Sequence, residues 1–228
     1  MGKVLRIIGI ILMSLTAAFT VLSGAGTTCV ALGAEEYLSM AGIVPYKWLY
    51  VLFVIVTLAI GVMGVRAVVL LVKDRPNAYR YSLIALILGV IVGGIHMGVS
   101  RALRGSSMPV DAVFYTTVLT LVVFLIFRIP SIWQKVDFER ADANGSNPAG
   151  GMAAIVMGVL CLTIQIWMGP THTFYGINYA DAFHAIMTIS GWGLILFGLA
   201  WLAYALVGWS AFNRYLPTNK EAGSRLSV

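Results

Sequence analysis

Charge is scarce in this chain. Asp, Glu, Lys and Arg make up 11% of its 228 residues, whereas an ordinary soluble domain carries about 25%. No polar stretch is long enough to bury a core of its own, so no second, soluble domain is expected. Cysteine is nearly absent. Cys29 and Cys161 are the two in the sequence, and they form neither a CxxC pair nor a zinc-ligand spacing. No P-loop, Gly-rich dinucleotide turn after a strand, Ser/His/Asp set or HExxH helix is present, which leaves the common enzyme signatures without support. Histidine is also rare, and that rarity makes the three present (His96, His172 and His184) easy to follow.

Apolar residues fill the space that charge leaves, at 60% of the chain. Six runs approach or reach the length needed to cross a bilayer, roughly 17–25 residues. They cover residues 4–22, 48–72, 81–100, 112–127, 152–168 and 180–209. The first run has the basic start and trailing small residues of a signal peptide, and we read it as the first membrane helix. The fold class expected is all-α: a polytopic membrane protein, a single six-helix transmembrane bundle spanning residues 1–228.

The net charge of +6 does not point to nucleic acid, because the basic residues are scattered through short loops beside apolar runs. Their distribution reads as topology. With the N-terminus cytoplasmic, 12 of the 15 Lys and Arg residues fall in inner segments, and only Lys47, Arg101 and Arg104 fall outside. This positive-inside bias places the chain in the plasma membrane with both termini cytoplasmic. Trp48, Tyr50, Trp167 and Trp209 then lie near helix ends, as interfacial anchors do.

Two connections are long. The outer one, residues 23–46, is expected to contain a short helix from Thr28 to Met40. The inner one covers residues 129–150 and starts with Ile129, Ile132, Trp133 and Val136 at helical spacing, with Gln134 and Lys135 on the other face. That pattern predicts a cytoplasmic helix lying in the membrane interface, followed by a linker.

The candidate chemistry lies with the histidines. His96 is five residues before Arg101, about 7–8 Å below the outer end of the third helix. His184 is three residues after Asp181, about 4–5 Å below the outer start of the sixth. Two imidazoles at similar depth on separate helices suit the axial ligation of a haem b or a quinone pocket in which a carboxylate orients a histidine. In this reading His96 and His184 ligate iron or accept protons, Arg101 and Arg104 hold anionic groups, and Asp181 orients a histidine. A copper or zinc site from His96, His184, Asp181 and the loop residue His172 is the competing metal reading. Gly89, Gly93, His96, Ser100 and Arg104 share one helix face, and Gly89-xxx-Gly93 equally reads as an ordinary helix-contact motif. His184, Thr188 and Gly191 form a small and polar stripe on the sixth helix.

Few helices, short loops and histidines near one membrane face resemble the architecture of the membrane-anchor cytochrome b subunits of respiratory complexes. The resemblance is of layout alone and implies a haem b or quinone site within a larger assembly. Three functions therefore stand at this point. The chain is an integral subunit of a membrane complex with such a cofactor, a cofactor-free structural or assembly subunit, or a small-molecule or ion transporter with Arg66, Gln165 and Asp181 on its path. Its partners in each case are the lipid bilayer and, in the first two, other membrane-protein subunits. A stand-alone enzyme is the less favoured reading.

Overall fold

The structure is a computed structural model that describes residues 2–36, 38–136, 138, 148–168, 173–174 and 176–215. Among the described residues six helices are long and apolar enough to cross a membrane. Helix α1 spans Gly2–Gly33, and two 3-10 turns, Ala34–Glu36 and Leu38–Tyr46, lead into α2, Lys47–Val72. Helices α3 (Ala78–Arg104) and α4 (Val110–Phe127) follow, then the short α5 (Pro130–Val136). Helix α6 covers Pro148–Met168, and a two-stranded antiparallel hairpin of β1 (Thr173–Phe174) and β2 (Ile177–Asn178) follows it. Helices α7 (Tyr179–Ala182) and α8 (His184–Tyr215) complete the described chain.

The first four long helices close into a ring: α1 on α2, α2 on α3, α3 on α4, and α4 back on α1. Helix α6 leans on α1, and α8 packs on α6. The molecule is thus a four-helix bundle with a two-helix arm. Small residues set the closest contacts, as expected where lipid removes the hydrophobic drive for helix association. In the arm, a Cβ added at Gly158 would lie 2.6 Å from the carbonyl oxygen of Gly191, and one added at Gly198 would lie 2.6 Å from that of Gly151. These two backbone-to-backbone contacts recur every seven residues along both antiparallel helices. Gly191, expected on a polar stripe with His184, is therefore a packing residue.

The turn from α2 to α3 explains itself residue by residue. Asp74 adopts φ 52°, and the Arg75 N–H donates to the Leu70 carbonyl at 3.0 Å, a Schellman-type helix stop. Pro76 then prevents the helix from resuming. Aspartate stands where glycine is usual because its carboxylate forms an ion pair with Arg6 of α1.

Three boundaries differ from the sequence expectation. Helix α1 does not stop near Leu22 but runs 32 residues, about 48 Å at 1.5 Å per residue. The separate helix expected from Thr28 to Met40 is the end of α1 plus the 3-10 turns. Gly24 lets α1 stay against Leu58 of α2 there, and Thr27 and Thr28 donate to carbonyls four residues back. The sixth expected span is broken at Phe183, between α7 and α8. The helix and linker expected over residues 129–150 begin with the seven-residue α5, and residues 137 and 139–147 lie outside the described part. The apolar face of α5 turns to protein: Val136 and Phe138 join Ile10, Tyr79, Phe124 and Phe127 in a buried cluster that seals one end of the bundle.

Candidate functional site

Hydroxyl groups line the inside of the ring. On α1, Thr16, Thr20, Ser23 and Thr27 are buried, and steps of three and four residues place them on one helix face. Thr57 on α2, Ser82 and Ser100 on α3, and Thr117 and Thr120 on α4 are buried as well. Thr16 Oγ1 and Thr120 Oγ1 are 2.7 Å apart, which ties α1 to α4. Most of these groups spend their proton on their own helix. Thr20 donates to the Thr16 carbonyl at 2.7 Å, Thr117 to that of Val113 at 2.7 Å, and Thr120 to that of Thr116 at 2.9 Å. This back-bonding is how hydroxyls are tolerated in apolar helices, and it leaves oxygen lone pairs facing the bundle interior.

His96 lies at the same interior, with 3% of its surface exposed. Helix α3 carries it on the face that also buries Ser82, Ala85 and Ser100. Its ring stacks on Phe53 of α2, with centroids 4.3 Å apart and planes 18° from parallel. Tyr50 meets it edge-on at 5.6 Å, and the Tyr50 hydroxyl is 2.9 Å from Ser100 Oγ. Two aromatic rings and one hydrogen bond thus fix the imidazole against α2. Beside it is a cavity of about 20 Å³ lined by His96, Thr20, Ser23, Thr57 and Thr117 together with apolar side chains. That is room for about one water molecule. A second cavity of about 10 Å³ shares Thr20, Ile60, Gly89 and Thr117 with the first and extends towards Thr16. The two form a narrow, largely apolar seam studded with hydroxyls along the bundle, closed at its Thr16 end by Met13, Ile10 and the aromatic cluster around Phe138.

The residues expected to work with His96 are distributed differently. The Arg101 guanidinium donates to Ser107 Oγ at 2.8 Å and to the Asp111 carboxylate at 2.9 Å. Arg104 donates to the Met108 carbonyl. Both arginines therefore brace the connection between α3 and α4. His184 is exposed at the start of α8, and Asp181 accepts from Asn178 at 2.8 Å and Gln165 at 3.4 Å. These groups belong to the arm. Helix α3 packs on α2, α4 and the second 3-10 turn, whereas α8 packs on α6 and α7, so the fold does not set His96 and His184 face to face. His172 lies outside the described residues. Among the described residues no group of three or more His, Cys, Asp or Glu is arranged to hold a metal ion. A water-sized cavity beside one imidazole also does not match the size of a porphyrin or a quinone ring.

Sequence reasoning found His96 and missed the seam around it. The available signal was the period of Thr16, Thr20, Ser23 and Thr27 within an otherwise apolar run. Tyr50, expected as an interfacial anchor, is instead buried against His96. In comparisons with protein-family models, curated proteins and solved structures, the chain matches none.

Proposed function

We propose that this chain is a multi-pass membrane transporter for a small solute or ion, with its path through the interior of the α1–α4 ring. One observation carries this reading: a buried histidine borders a water-sized cavity between membrane-length helices whose largely apolar lining includes Thr20, Ser23, Thr57 and Thr117. Ionisable groups inside a membrane bundle are costly and mark pathways or ligand sites. Packing alone would be served better by an apolar side chain that fills the cavity. The path residues therefore change from those first expected. Arg66 is exposed and its guanidinium stands 5.2 Å from the Tyr81 ring centroid, and Gln165 and Asp181 are bonded within the arm. His96, Thr20, Ser23, Thr57 and Thr117 take their place. The distribution of Lys and Arg supports an N-terminus on the cytoplasmic side of the plasma membrane, which puts His96 nearer the outer face.

The test is flux in reconstituted vesicles. Purified protein is expected to admit at least one small solute faster than empty vesicles, and His96→Ala is expected to reduce that flux at least tenfold. Equal flux in protein-containing and empty vesicles across a panel of small cations, anions and neutral solutes would reject the transport reading.

A second reading, membership of a larger membrane assembly, is favoured by α8. Only 11% of its membrane-length window is buried, the least of the six. Mass measurement of the protein extracted with its native lipids would test it, with a single-chain mass counting against it. The haem b reading remains a proposal that the same sample decides, since a Soret band lost in His96→Ala would support it.

A further inference from the structure

The hydrogen-bond directions around the cavity restrict what can occupy it. Thr20 and Thr117 have given their hydroxyl protons to the carbonyls of Thr16 and Val113. Towards the cavity they offer lone pairs to which a guest can donate, while the Ser23 and Thr57 hydroxyls in the same lining can accept or donate. His96 adds an imidazole, whose ring nitrogens can donate or accept a hydrogen bond. The space of about 20 Å³ takes one guest about the size of water. Among the described residues no carboxylate, Lys or Arg lines the cavity.

The charged and titratable groups near His96 are otherwise engaged. On α2, Tyr50 bonds with Ser100. On α4, Asp111 is held by Arg101. At the 3-10 turns, Glu35 pairs with Lys47 at 3.1 Å. On α3 itself, Arg104 donates to the Met108 carbonyl.

We infer that the cavity beside His96 is a binding site for a small hydrogen-bond donor, water or a protonated species of similar size such as ammonium, which exchanges a proton with the imidazole. In the exchange the guest's H–X bond breaks, X keeps the electron pair, and the ring nitrogen's lone pair takes the proton to give imidazolium. The reverse step restores both. This deepens the transport reading by naming its substrate class, and it rests on the same cavity.

Solid-state NMR of histidine-15N-labelled protein in lipid bilayers tests the site without requiring transport. The expected result is a water-to-imidazole cross-peak at His96, assigned by its loss in His96→Gln. The cross-peak should also be lost in Thr20→Val/Thr117→Val, which keeps side-chain shape and removes the acceptors. Ammonium chloride should shift the His96 ring signals and sodium chloride should not. A shift with ammonium identifies that guest; a cross-peak unchanged by ammonium identifies water alone. A His96 ring without a water cross-peak and without an ammonium shift overturns the site, whatever the fluxes show. A cross-peak that survives Thr20→Val/Thr117→Val in folded protein overturns the donor-binding argument. A cross-peak without flux in vesicles leaves the site standing and removes the transport reading.

Discussion

Asp74 ends helix α2 in a left-handed backbone conformation and pairs with Arg6 across the bundle. Both side chains are mostly buried, at 12% and 15% exposure, so the pair is poorly screened and loss of one partner strands the other. Asp74→Asn, which tolerates the left-handed backbone, is expected to destabilise the protein by about 3 kcal/mol. Asp74→Ala should cost a further 1–2 kcal/mol or so, because alanine is strained at positive φ. Unfolding in mixed micelles titrated with SDS measures both, and equal stabilities for the two variants would refute the backbone contribution. At His96 the Phe53 ring supplies the stacking partner. Phe53→Leu keeps an apolar side chain there and removes the flat face, so the His96 ring NMR signals should broaden as the imidazole samples more orientations. Unchanged signals would mean that Tyr50 alone fixes the ring. Residues of this kind are only partly legible in a sequence. A lone histidine in an apolar run announces itself, whereas the partners that hold it lie some 45 positions away in α2 and are ordinary aromatic residues until the helices pack.

Elements were legible where composition alone decides them. The six apolar runs became six membrane-length helices, because length and hydropathy are properties of each segment by itself. The ends were less so. Helix α1 continues to Gly33 because α2 lies beside it, with Gly24 against Leu58 and Gly61 against Val21, and a run read in isolation does not contain its neighbour. The hydroxyl stripe on α1 was present as a period, but the packing that turns it inward was not. The α6–α8 pair depends on glycines that meet backbone to backbone. Gly158→Ile is therefore expected to separate α8 from α6 and raise hydrogen exchange along α8, with exchange in α1–α4 unchanged. Gly193→Ala, on a face with no heavy atom within 4 Å, should have no effect. If both variants exchange like the parent, the arm is not held by this contact.

The whole molecule divides its labour between a ring that encloses polar groups and an arm that presents apolar ones. This division could not be read from the chain, because which helices neighbour each other is a property of the packed state. The same uncertainty made His96 and His184 look like partners: their depths were comparable, but one lies inside the ring and the other on the arm. If the ring encloses a pathway, water must reach its interior during part of each cycle. The most direct test is the reactivity of a single cysteine on the seam, in protein whose Cys29 and Cys161 are replaced by serine. Thr20→Cys, inside the ring, and Val62→Cys, 67% exposed on the outer surface of α2, are each treated in vesicles with a small, positively charged methanethiosulfonate. The account predicts that the cysteine at position 20 reacts and the one at position 62 does not, since the first meets water and the second meets lipid. A seam cysteine as inert as the lipid-facing one would contradict it.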